Sequence, residues 1–135
     1  FSGQITGTGR LNVNATGGSI QVSGANSYSG GTTISAGTLL VGNATALGAN
    51  SSAVSVTSGA VLDLNGTTMT GTNALTLNGT GISSGGALIN SSATGSADWI
   101  AYPNNYPGSA NDHGWVDVGF AGSNFNDPFF TITKQ

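Results

Sequence analysis

The residue types that could do chemistry crowd into the last third of the chain. His113, the only histidine, stands beside Asp112, and with the abundant serines these residues supply the types of a Ser-His-Asp hydrolase triad. Serine and threonine occur throughout, however, so the pattern singles out no nucleophile, and a loop histidine making ordinary hydrogen bonds explains the same residues. Asp98, Asp112, Asp117 and Asp127, with Asn111, Asn124 and Asn126, could assemble an oxygen shell for Ca²⁺. Their spacing matches no calcium loop and reads equally well as solvated turns, so no cofactor is expected, Ca²⁺ being the one ion the residue types would suit. A single histidine without cysteine leaves no structural zinc set. Asp63 is the only acid before residue 98, so the paired carboxylates of a polysaccharide hydrolase are missing from that portion. The expectation is that the chain is not an enzyme.

Binding is the next chemistry to weigh. Trp99, Tyr102, Tyr106 and Trp115 could form an aromatic platform for sugar rings, the alternative reading being a carbohydrate-binding module with polysaccharide as partner. Threonine pairs at Thr6 and Thr8, Thr32 and Thr33, and Thr67 and Thr68 suggest a water-ordering face, but such a face needs threonine at the same place in every repeat, which this chain lacks. Asn14, Asn43, Asn50, Asn65, Asn78 and Asn90 each open an Asn-x-Ser/Thr triplet, as chance produces in a sequence so rich in these residues.

The elements that must position all this are short strands. Ile20 and Val22, Val54 and Val56, Leu62 and Leu64, and Leu75 and Leu77 alternate with polar residues, the period of strands with one buried face. Gly31 to Asn43 overlays Ala53 to Asn65, with Gly37 and Gly59 falling 22 residues apart. A period of that size is one solenoid turn. Ala36-Gly37 and Ser58-Gly59 lie between paired strands, where glycine can adopt the positive φ of a sharp corner. About four rungs fit between Leu11 and Asn90, spaced about 4.8 Å apart and sharing one aliphatic column. Aliphatic content is low for a folded chain, but low net charge and regular spacing favour order over disorder. The predicted fold is all-β: a parallel β-helix, or β-solenoid, with an aromatic-rich C-terminal β module or cap.

Ser23 to Asn43 also resembles the autotransporter-associated β-strand repeat, or passenger-associated transport repeat, of bacterial surface proteins. The segments Ala46-Leu-Gly48, Ser58 to Gly66, Leu75 to Gly79 and Gly86 to Asn90 are similar to the stretch downstream of that repeat in family members, so the resemblance covers about residues 18 to 92. It implies a right-handed parallel β-helix on a secreted or surface-displayed chain, where the repeat aids passenger folding and export without catalysis. Autotransporters end in a large membrane β-barrel, which the sequence up to Gln135 does not contain, so a standalone exported protein is the expectation.

Composition fits that address. Charged residues make up 5%, Arg10 and Lys134 are the only cations, and the net charge is −3. Nucleic-acid binding needs clustered Lys and Arg and is not expected. No run reaches the ~18 apolar residues of a spanning helix, so no membrane-spanning segment is predicted. A first residue Phe1 in place of Met suits an exported chain whose signal peptide has been removed. The expected location is extracellular or on the bacterial cell surface.

Character changes near Asp98. Both tryptophans, all three prolines and most aromatics follow it, giving predicted units at residues 1–97, the solenoid repeats, and 98–135, an aromatic-rich capping or assembly segment packed on them. Trp115 to Phe120 alternates, and Phe129 to Lys134 reads as a terminal strand. Such a tail could cap the solenoid end or pair with a neighbouring copy. With no obvious cap at Phe1 to Gly9, the expectation is a structural subunit that joins copies of itself head to tail into a filament or matrix. The residues expected at that interface are Phe1, Trp99, Trp115, Phe120, Phe125, Phe129 and Phe130.

Overall fold

A computed structural model of the chain describes residues 1–70 and 73–93, together with the backbone of three short strands at 98–100, 115–117 and 123–125. The strands in chain order are β1 (Leu11–Val22), β2 (Thr32–Val41), β3 (Val54–Val56), β4 (Ala60–Asp63), β5 (Leu75–Leu77), β6 (Leu88–Asn90), β7 (Asp98–Ile100), β8 (Trp115–Asp117) and β9 (Ser123–Phe125), with one 3₁₀ turn at Ile82–Ser84. The described residues form an all-β parallel solenoid of four levels joined by three turns of chain.

Register shows how the alternating pattern becomes a core. β2 pairs in parallel with β1 on one side, and with β3 and then β4 on the other, while β3 continues to β5 and β4 to β6. Val13, Ile34, Val56 and Leu77 thereby stack in one column. Ile20, Leu39, Leu62 and Leu88 stack in a second. In β2, Ile34, Leu39 and Val41 are buried while the intervening Thr33, Thr38 and Leu40 stay half-exposed, so the period-2 sequence is read directly as inside and outside. Each fully buried aliphatic side chain contributes roughly 1.5–3 kcal/mol, but only when a rung above or below covers it.

Among the described residues the third side of the turns carries no regular strand, yet it stacks in the same period. The amides of Ser23, Ser27 and Ser29 donate to the carbonyls of Phe1, Ile5 and Gly7; those of Asn26 and Ala49 link this layer to the next, through Thr45 O and Tyr28 O. Val54 N in turn reaches Ala74 O at 2.8 Å.

Corners are where the rungs differ. Between β1 and β2 the register slips, so that Ala15 to Gly18 faces Gly37 alone. Gly37 has φ +75°, and a Cβ placed on it would lie 2.0 Å from the Ala15 carbonyl oxygen and 2.7 Å from that of Gly18. Gly59 makes the next corner with φ +81° and open space around it. The fourth level replaces this tight corner with an excursion from Asn78 to Ala87 that includes the 3₁₀ turn.

Parallel stacking ends at β6. β9 runs antiparallel to it, with Leu88 opposite Phe125 and Asn90 opposite Ser123. β7 and β8 form a separate antiparallel pair. The edge of β6 is therefore occupied by a later segment of the same chain.

The two corner glycines make a paired test. Gly59→Ala meets only the strain of a positive φ, and urea unfolding should show a loss of about 1–2 kcal/mol. Gly37→Ala adds a collision with two backbone carbonyls, and its midpoint should fall clearly further.

Candidate functional site

The feature that stands out from the rest of the solenoid is its N-terminal end. β1 pairs on one side only, with β2, and is an edge strand of 12 residues. Of those residues most are exposed, including Ile20 at 40%, although its column neighbours Leu39 and Leu62 are fully buried. Ile20 obeys the inward pattern; it is exposed because no rung lies beneath it. Phe1, 74% exposed, lines the same opening. Together with Ile5, Leu11, Val13 and Val22 these side chains bound an apolar cleft of about 220 Å³. Of the column residues in β1, Ile20 is exposed while Val13 and Val22 are buried, so the edge offers unpaired backbone groups beside one exposed aliphatic side chain.

Inside the solenoid, polar side chains work as clamps between rungs. The Asn26 carboxamide oxygen accepts from Ile5 N at 2.8 Å while its Nδ2 donates to Ala46 O at 2.6 Å, so one buried side chain ties three successive layers. Asn73 Nδ2 donates to the carbonyls of Ala49 and Ser52, each at 2.8 Å. Asn90 Oδ1 accepts from Gly66 N at 2.8 Å and Ser92 N at 3.2 Å. Asp63, 3% exposed, accepts from Asn65 N, Ser91 N and the Ser91 hydroxyl, joining the third and fourth levels. The one acid of the repeat region is thus a structural acceptor. Its neighbours bring no second carboxylate, and among the described residues no three His, Cys, Asp or Glu side chains converge.

Tyr28 is the largest buried polar-tipped side chain, 1% exposed, with its hydroxyl 2.6 Å from Thr32 Oγ1. Burial pushes its phenol above the usual value of 10.0, and the Thr32 contact offsets part of that shift. Arg10 lies on the surface, its guanidinium donating to Gly30 O and Thr33 Oγ1 at 3.2 Å each. Sequence reasoning assigned no role to Asn26, Tyr28, Asn73 or Asn90. The available signal was that Asn26, Asn73 and Asn90 each have a partner 20 to 24 residues away, close to one repeat.

Of the expected interface residues, the structure places Phe1 at the open end. Trp99, Trp115 and Phe125 have their backbone in β7, β8 and β9, with side chains outside the described residues, and Phe120, Phe129 and Phe130 lie outside them altogether. Tyr102 and Tyr106 of the sugar-platform reading, and His113, Asp112, Asp127, Asn111 and Asn126, also lie outside them. The backbone register sets Asp98 opposite Asp117. No helix among the described residues is long and apolar enough to cross a membrane.

The described residues define a β-solenoid in which buried polar side chains join neighbouring rungs and β1 and β5 are each paired on one side. A stretch of 97 residues, 72% of the chain, is 38% identical to the adhesin BmaC autotransporter of Brucella suis biovar 1 (strain 1330). The chain spans about 3% of that protein's length. No family model matches the sequence, and no solved structure matches it. The similarity is therefore to an autotransporter, while the particular repeat family is not assigned by any family model.

Substitutions at the clamps separate their roles. Asn26→Ala orphans a buried amide and a buried carbonyl and should lower unfolding free energy by about 1–3 kcal/mol; Asn26→Asp keeps the acceptor for Ile5 N but sets a carboxylate against the Ala46 carbonyl, and should lower it further. For Tyr28, the folded state holds the proton above the value at which the unfolded chain releases it. That contribution to stability is complete below about pH 10 and is lost as pH rises through the raised value. Alkaline denaturation should show this decline in the native protein and a flatter profile in Tyr28→Phe.

Proposed function

We propose that this chain is a surface-exposed structural element of a bacterial envelope or extracellular matrix: a β-solenoid segment that builds a rod by adding rungs. The observation that carries the reading is the in-register parallel stack itself, in which each aliphatic column is buried by the rung next to it. The likeness to an adhesin autotransporter supports the surface location, and the bonds of Asn26, Asn73 and Asp63 to residues about one repeat away join neighbouring rungs. A neutral, hydroxyl-rich exterior suits a hydrated rod. With only two cations in the chain, trypsin-like proteases find few cleavage points.

The joining of separate copies into a head-to-tail filament is a second reading, supported by the same exposed edge and by Phe1 beside it. The readings differ in which polypeptide supplies the next rung. Sugar binding through Trp99, Tyr102, Tyr106 and Trp115 has no support from the described residues.

Surface exposure is tested on intact cells that produce the protein. Added proteinase K should remove an epitope in residues 30–60 without lysis; an epitope lost only after lysis overturns the reading. Filament formation is tested by sedimentation velocity and electron microscopy over a dilution series, with and without residues 121–135. Growing species that depend on concentration support assembly of copies, and monomers at every concentration overturn it.

A further inference from the structure

Asparagine followed by glycine occurs twice, at Asn65-Gly66 just after β4 and at Asn78-Gly79 just after β5. The flanking residues are the same, Leu64-Asn-Gly-Thr67 and Leu77-Asn-Gly-Thr80. Such a pair carries its own electrophile and nucleophile. The glycine amide nitrogen can attack the asparagine side-chain carbon Cγ, because glycine has no Cβ to obstruct the approach. By local sequence the two pairs are equivalent.

The fold makes them unequal. The carboxamides are held alike, each Nδ2 donating to a carbonyl one rung earlier, Val41 O for Asn65 at 3.4 Å and Val56 O for Asn78 at 3.0 Å. Both glycines are left-handed, with φ +75° at Gly66 and +79° at Gly79. The difference lies at the attacking nitrogen. Gly66 N donates to Oδ1 of the buried Asn90 at 2.8 Å, and the preceding amide, Asn65 N, donates to Asp63 Oδ1 at 2.9 Å. Gly79 N has no acceptor among the described residues. Asn78 is also exposed, whereas Asn65 is half-buried.

We infer that Asn78 is a site of spontaneous covalent modification, where the chain closes a cyclic imide on itself and reopens it as aspartate or isoaspartate. Hydroxide from solvent takes the Gly79 N–H proton, and the nitrogen lone pair forms a bond to Asn78 Cγ. The Cγ–Nδ2 bond breaks, and Nδ2 takes a proton from water and leaves as ammonia. Water then opens the imide at either carbonyl. Opening at Cγ gives aspartate; opening at the main-chain carbonyl gives isoaspartate, in which the backbone runs through Cβ. Nothing is oxidised or reduced. Either product loses the Nδ2 donor to Val56 O, a tie to β3 one rung back, and gains a negative charge. At Asn65 the same attack first has to break the Gly66 N bond to Asn90, so the pair with identical neighbours is spared.

The experiment follows the full chain with time in mildly alkaline buffer, folded and in urea. Fragmentation mass spectrometry gives the deamidated fraction at each asparagine, and labelling by an isoaspartyl methyltransferase scores isoaspartate. The quantity read is the Asn78 to Asn65 rate ratio in the folded protein divided by the same ratio in urea. It should be about fivefold to tenfold or more, the factor that one amide hydrogen bond is worth. A quotient near one or below overturns the inference, and so does reaction at Asn78 in urea alone.

Discussion

A single rung of this protein cannot bury its own apolar residues. Each level is one strand pair thick, so Ile34 or Leu62 is shielded only because another level supplies a partner in the same column. This dependence on the neighbour sets everything else: the regular offset near 22 residues, the glycine corners that let two strands of a rung turn without spreading the stack, and the exposure of Ile20 where the stack stops. Stability in such a body is close to a sum of rung and interface contributions, and its ends are unlike its middle.

The polar residues obey the same constraint. Stacking three-sided turns leaves carbonyls and amides on the irregular third side that no strand ladder satisfies, and a buried unpaired group costs about 1–3 kcal/mol. Asn26, Asn73 and Asn90 answer this because a carboxamide is both donor and acceptor and can bridge layers about 4.8 Å apart. Asp63 does so as a pure acceptor facing one hydroxyl and two amides. Buried polar groups in this chain are therefore assembly hardware, which is why a search for paired carboxylates or metal ligands in the repeat region meets one isolated acid.

The two ends of the stack are unequal. In the last level β6 is paired by β9 in the antiparallel sense, which stops parallel addition on that strand, while β5 pairs with β3 alone. In the first level β1 pairs with β2, and Phe1 bonds to Gln21 O and Ser23 N on its other side.

The sequence by itself determined the all-β class, the repeat, the inward residues and the corners at Gly37 and Gly59, because each rests on local alternation or on a backbone conformation that one residue type satisfies. Tertiary structure alone decided that Ile20, identical in pattern to Leu39, is exposed, since exposure depends on a missing neighbour and not on local sequence. It decided too that Asn26 is buried and that Asp63 is a clamp, because their partners Ala46 and Ser91 lie about one turn of the solenoid away and only stacking brings them within hydrogen-bond reach. The four-residue bulge at Ala15 to Gly18 was equally hidden, as it exists only in register against Gly37.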